Sequence, residues 1–411
     1  MSLIPTSKFE FEARLENTRA CLETNGMDAC ICINTRNIYW LSGSAQASHL
    51  VIFKDQDPIL LVRRNIDLAR KHSWFPTEWI KPLGSTKDTI GTVTAALNGG
   101  TGKIGMELNG LPASYYLTFV KGFGSDVQIE NISETLRNLR MIKDAGEIEK
   151  IQQAARCAEK TQDIVYHMTM EEFTPGTTER EIAAEMVHVA KLNRSEHYSI
   201  YDNNQFTNFN NFFIVTSGEA LWTPSTFPIM SGAGFSPAIP YGPSDRVLEE
   251  GDMLVCDYAV LVDGYHADHA RSYVMNGVYP EYYKERYANL KLAYDRSIDA
   301  MEPGMKASEL FALMETELIR IGDPNPNIKI EKYFEGNGTI YQGYGHGIGL
   351  ELDEPPFILK SVETPLEEHM AISLEPKIMI PGWGAINFED NFILESGQKA
   401  RQITNTRYLE W

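Results

Sequence analysis

Cysteine is scarce in this sequence. Cys21, Cys30, Cys32, Cys157 and Cys256 are five among 411 residues, an odd number, and no two have zinc-finger spacing. They lie in apolar runs, so reduced, buried thiols in a cytoplasmic protein are expected and a disulfide framework is excluded. Positive charge is scarce as well. The 37 Lys and Arg stand against 56 Asp and Glu, a net charge of -19. A surface of that sign repels phosphate, which excludes nucleic acid and anionic membrane as main partners. No apolar run reaches the roughly 18 residues of a membrane span, and MSLIPTSKFEFEARLE has no signal-peptide core. A G-x-S-x-G elbow, internal repeats and low-complexity tracts are missing too, and the first of these argues against a serine hydrolase.

What remains is an ordinary globular composition, 43% hydrophobic and 23% charged, in a chain long enough for two cores. Residues 1–142 alternate helical and strand patterns. FEARLENTRACLETNGM ends in a helix stop, Asn25-Gly26, and DACICI, KIGMEL and VQIENI read as strands. HLVIF and PILLV flank KDQD as a hairpin, and helices are expected over 86–97 and 112–122. This is an α/β N-terminal domain. From 143 to 411 the texture changes: one long helical pattern spans RMIKDAGEIEKIQQAARCAEKTQDIVYHM (140–168) at the start of this domain, and others cover 178–193, 281–301 and 307–321. Short β-branched and aromatic runs lie between and after them. That pattern predicts an α+β domain, a curved antiparallel sheet with packed helices. YDNNQFTNFNNFF (201–213) reads as a surface loop, a lid or a subunit contact.

Three acidic segments carry the chemistry. GDMLVCDYAVLVDGYHADHARSYV puts Asp257 and Asp268 on two strands joined at Asp263-Gly264, where a hairpin would aim both into one space. GYGHGIGLELDEPP sets His346 among alternate glycines, with Asp353 seven residues on. MAISLEPKIMIPGWGAINFEDNFIL places Glu375 and Glu389 in apolar strands around a turn at Pro381-Gly382. Each carboxylate alone also fits a salt-bridged structural group. Together, four in-strand carboxylates and one imidazole form a ligand set whose charge two divalent cations would neutralise. Oxygen ligands with one imidazole suit manganese, iron, cobalt or zinc. The glycines do not follow a G-x-G-x-x-G phosphate loop.

At these residues the chain resembles the pita-bread metallohydrolases: methionine aminopeptidase, aminopeptidase P, prolidase and the non-peptidase creatinase. RLENTRACLETNGMDACICINTRNIYWLSG looks like the start of the N-terminal domain of prolidase, aminopeptidase P and creatinase. PSDRVLEEGDMLVCDYA, GYHADHARSY, GHGIGLELDEPP, LEP and NFED then follow in family order. The resemblance implies that Asp257 ligates one metal, that Asp268 and Glu389 bridge, and that His346 and Glu375 hold the second metal. Glu375 would also be the proton shuttle. Departures are equally specific. Tyr241 and Asp353 stand where the peptidases carry two active-site histidines, Ala270 where a threonine is expected, and Asn387 where an arginine often lies; Arg271 matches. Tyr241 can still donate a hydrogen bond, whereas an ionised Asp353 only accepts.

The implied activity is dinuclear metal-dependent hydrolysis of a peptide or amide C–N bond by metal-bound hydroxide, in the manner of Xaa-Pro dipeptidase or aminopeptidase P. Glu375, Asp353 and Tyr241 are the candidate catalytic residues. His266, Tyr241, Asp353 and Trp222 are the candidate contacts to a small-molecule or short-peptide substrate. His266 lies two residues before Asp268 on the same strand face. A homodimer is implied, with Trp74, Trp222 and the 201–213 stretch as candidate contacts. Two alternatives stay open. One is a non-peptidase on this scaffold, such as a dimethylsulfoniopropionate lyase-like enzyme or a compatible-solute hydrolase; the other is a non-catalytic binding module.

Overall fold

Ser7 begins the first helix by accepting the Glu10 backbone N–H while the Glu10 carboxylate accepts the Ser7 N–H. In the computed structural model the described residues are 6–98, 101–196, 213–223, 230–320, 343–380, 382 and 384–410. They form two compact units that divide between Arg140 and Met141. The first runs α1 (Lys8–Thr24), β1 (Ala29–Cys32), α2 (Thr35–Ser42), β2 (Ser48–Phe53), β3 (Ile59–Val62), α3 (Ile66–His72) and β4 (Ile80–Pro82). It continues through α4 (Thr86–Ala96), β5 (Gly102–Met106), α5 (Ala113–Phe123), β6 (Val127–Asn131) and α6 (Ser133–Leu139). Its six strands are ordered β4-β3-β2-β1-β5-β6. The expected β2–β3 hairpin is antiparallel, while β1, β5 and β6 run parallel. Ile31, Val51, Ile104, Met106 and Phe119 form its core. All five cysteines are free; four are buried, and Cys21 is half-buried rather than buried because it stands on the flank of α1.

The second unit opens with α7 (Ala145–Tyr166), capped by Asp144 and Glu147, and α8 (Glu179–Leu192), capped by Thr178 and Glu181. After β7 (Phe213–Ser217) come the hairpin strands β8 (Met253–Val262) and β9 (Tyr265–Val274), then α9 (Glu281–Ala300) and α10 (Ala307–Arg320). The remaining strands are β10 (Gly343–Gly347), β11 (Glu354–Leu359), β12 (Ala371–Leu374), β13 (Lys377–Ile380), β14 (Gly384–Asn387), β15 (Asp390–Ile393) and β16 (Arg401–Gln402). They assemble as β7-β8-β9, as β11-β10-β12-β15-β16 and as the pair β13-β14. A single bridge, Ala270 to Glu389, joins β9 to the junction before β15. Of the 201–213 stretch, residues 201–212 lie outside the described residues, as do residue 321 of the fourth expected helix and Pro381 of the expected turn. No helix among the described residues is long and apolar enough to cross a membrane.

Two glycines beside His346 answer for the alternation seen in the sequence. A Cβ on Gly345 would collide with the Ser373 carbonyl, and one on Gly347 with the Pro355 carbonyl. Both obstacles are backbone in neighbouring strands, so they cannot swing away. Gly347→Ala should therefore lower stability by about 1–3 kcal/mol, the usual cost of overpacking, in a denaturant titration. An unchanged midpoint would mean that β10 and β11 are not this close.

Candidate metal centre

The hairpin turn at Asp263-Gly264 has φ of 50° and 83°, the backbone of a two-residue type I′ turn. Its register sets Asp257 opposite Ala270 and Asp268 opposite Ala259. Asp257 and Ala259 share a face, so the two aspartates are diagonal neighbours on that face. The sequence pattern puts Glu375 and Glu389 inside apolar strands; the structure places them at breaks instead. β12 stops at Leu374 and β13 starts at Lys377, and β14 stops at Asn387 and β15 starts at Asp390. Backbone bonds still hold both residues: Glu375 N donates to Tyr344 O at 2.7 Å and Glu389 N to Ala270 O at 3.1 Å.

His346 enters from β10. Its Nδ1 donates to the Gly347 carbonyl at 3.0 Å, which leaves the Nε2 lone pair for the cavity. Nε2 faces Asp353 at 3.6 Å, Asp268 at 3.8 Å and Glu375 at 3.9 Å. Three overlapping sets of ligand atoms each lie within 4.8 Å of one another: Asp268, His346 and Asp353; His346, Glu375 and Glu389; Asp257, Asp268 and Glu389. All five side chains expected as ligands thus converge, and Asp353 converges with them.

Burial pushes the Asp257 carboxyl up to about 6, against the opposing pull of the Lys377 ammonium and with Glu375 adding to the rise. Burial likewise raises Asp268 and Glu389, and each is driven further by neighbouring carboxylates. Buried carboxylates that repel one another around an imidazole lone pair fit divalent cations, the species that would relieve them. Asn387 adds a polar neighbour: its Nδ2 donates to Asp257 Oδ2 at 3.4 Å, and its Oδ1 has no hydrogen-bond partner among the described residues.

A layer of polar groups behind the carboxylates holds them in place. Ser373 Oγ donates to Glu389 Oε1 at 2.9 Å, and Asn391 both donates to Ser373 Oγ at 2.9 Å and accepts the Asp268 N–H at 3.0 Å. Arg271 forks onto Asp390 at 2.8 and 3.0 Å and donates to the Glu389 carbonyl at 3.0 Å. Thr404 and Tyr408 donate to the same Asp390 carboxylate at 2.9 and 2.5 Å. Glu354, next to Asp353, is an ion-pair partner of buried Lys143 at 2.8 Å.

The remaining expected residues are placed as follows. His266 is buried, and both its backbone N–H and its Nδ1 meet the Gly349 carbonyl at 2.9 Å, so it braces the turn after His346. Tyr241 is partly buried, which raises its phenol pKa. Trp222 packs against the cluster of Leu221, Met230, Val255, Met379 and Ala385. Sequence reasoning missed Lys377. Its ammonium pairs with Glu375 and stands 3.9 Å from Asp257. Burial opposes its charge, yet Glu375, Asp257 and Glu389 hold its pKa above the ordinary lysine value. The signal was available: a lysine two residues after Glu375, opening an otherwise apolar strand, shares that residue's side of the chain.

An Asp257 pKa above its unfolded value means that the metal-free folded state holds the extra proton. Its contribution favours folding at about pH 4 and is lost as the pH rises through about 6. Chelated wild-type protein should therefore lose melting temperature from pH 4 to 6.5, and Asp257→Asn should flatten that slope. Equal slopes in the two proteins would show that Asp257 is not held protonated.

Residues 149–396 match metallopeptidase family M24, and residues 14–142 match the creatinase/prolidase N-terminal domain. The chain is 27% identical to an Xaa-Pro dipeptidase of Pyrococcus furiosus over 400 residues, covering 96% of this chain and 98% of that one. It is 29% identical to a probable dipeptidase PepE of Mycobacterium tuberculosis over 302 residues, 72% of this chain and 67% of the other. Among solved structures it resembles a prolidase from Pyrococcus furiosus with a TM-score of 0.74 at 25% identity, covering 95% of this chain and all of that one (100%). A prolidase from Pyrococcus horikoshii shares the fold at a TM-score of 0.77 and 23% identity, covering 96% and 99%.

Proposed function

The chain belongs to metallopeptidase family M24, and from that premise we propose that it is a metal-dependent Xaa-Pro dipeptidase. The convergence of Asp257, Asp268, His346, Glu375 and Glu389, in family order, carries the reading. These side chains would hold two divalent cations drawn from manganese, iron, cobalt or zinc. Such a pair supplies Lewis acidity toward the scissile carbonyl and a water of lowered pKa.

The chain's own residues do the rest. Glu375 takes a proton from the attacking water and returns it to the leaving nitrogen. Tyr241 offers its hydroxyl to the substrate carbonyl oxygen, a donor in place of an imidazole. Trp222 borders the substrate, and Asp353 faces it from the side of His346. His266, fully buried, acts from behind by bracing the Gly349 turn instead of touching substrate as expected. We place the domain boundary at residues 142–143 and the working form as a cytoplasmic homodimer. The lyase-like, compatible-solute and non-catalytic readings are not favoured: similar proteins from two Pyrococcus species are named Xaa-Pro dipeptidases, and all five side chains expected as ligands converge.

Protein loaded with Mn2+ should release proline from Xaa-Pro dipeptides, and a chelator should stop it. Glu375→Gln should lower kcat by about 10²–10⁴-fold, the range of general acid–base catalysis. Failure of the loaded enzyme to cleave any Xaa-Pro dipeptide would overturn the reading.

A further inference from the structure

His346 Nε2 faces three carboxylates, and Asp353 is the nearest of them at 3.6 Å. Asp353 is also the member that allows His346 and Asp268 to form a ligand set without Glu375. Glu375, meanwhile, is engaged by Lys377. Lys377 holds Oε2 of Glu375 while Oε1 faces His346, and an ammonium on one oxygen draws charge from the whole carboxylate, which makes the other oxygen a poorer donor to a cation. Lys377 is fixed for this contact by its strand: it opens β13 directly opposite Asn387, and both side chains reach Asp257 Oδ2.

The charges match as well. Asp257, Asp268, Asp353, Glu375 and Glu389 carry one carboxylate more than two divalent cations neutralise, and the Lys377 ammonium offsets that one. Resting on the metal-dependent reading above, we propose that Asp353 is itself a ligand of the cation at His346, with Lys377 as its matched counter-charge on Glu375. The arrangement divides two tasks that Glu375 would otherwise combine. Asp353 completes the cation's ligand set, and Glu375, paired with Lys377, is left to move the proton. Asp353 is thus a cation ligand, and Lys377 is a positioning residue acting through Glu375.

Calorimetric titration of metal-stripped protein with Mn2+ alone tests the pair, alongside visible absorption of the Co2+-loaded protein. Asp353→Asn should weaken the tighter Mn2+ equivalent at least tenfold and change the Co2+ spectrum, since a ligand is lost. Lys377→Met should tighten Mn2+ binding at least tenfold, because a competing cation is gone. The double variant, restored in charge, should bind within a few-fold of wild type. Unchanged affinity and spectrum in Asp353→Asn would overturn the proposal, as would weaker binding in Lys377→Met. Either result leaves the dipeptidase reading standing. Wild-type protein that binds no Mn2+ at all would instead remove the metal-dependent reading and this pair with it.

Discussion

Repulsion between buried carboxylates is the constraint on which the second unit depends. Asp257, Asp268 and Glu389 are at most 7% exposed, and burial and mutual charge raise the pKa of each. Left to themselves, such groups would turn outward or force the strands apart. The scaffold resists by giving each a rigid anchor: a tight hairpin for the two aspartates, a glycine-lined strand for His346, and backbone bonds at strand breaks for the two glutamates. Stability is spent so that a cation finds its ligands already in place.

The polar layer behind the ligands shows how that rigidity is distributed. Asn391 links Ser373, and through it Glu389, to the backbone of Asp268. Arg271 and Asp390 form a fully buried ion pair that also accepts donors from Tyr408 and Thr404. Truncating one partner of such a pair leaves an uncompensated charge, which makes the network all-or-none. Its members carry no chemistry, yet none is free to change alone.

Much of this was legible in the sequence, and the reasons differ by element. Long amphipathic helices such as α7 and the β8–β9 hairpin declare themselves through periodicity and turn residues. Helices of seven or eight residues, α2, α3 and α6, present barely two turns, too little for a pattern to stand out. In the site, the ligand types and their order were readable. The breaks that free Glu375 and Glu389 were not, because an apolar run looks the same whether or not its ladder is interrupted. Lys377 escaped for a different reason: a single charge at the start of a strand passes for a solvated end, although its two-residue spacing from Glu375 put both on one side of the chain. Asp353 was readable as a departure, but its distance to His346 is a property of the folded loop.

The tie from Tyr408 and Thr404 to Asp390 has a consequence for how the centre comes into being. Asp257 and Asp268 are synthesised some way before Glu389, and the groups that fasten Glu389's neighbour come later still. Glu389 is therefore seated by contacts drawn from segments far apart in the sequence, so its place among the ligands exists only once those segments have packed together, and a partly folded second unit has an incomplete ligand set.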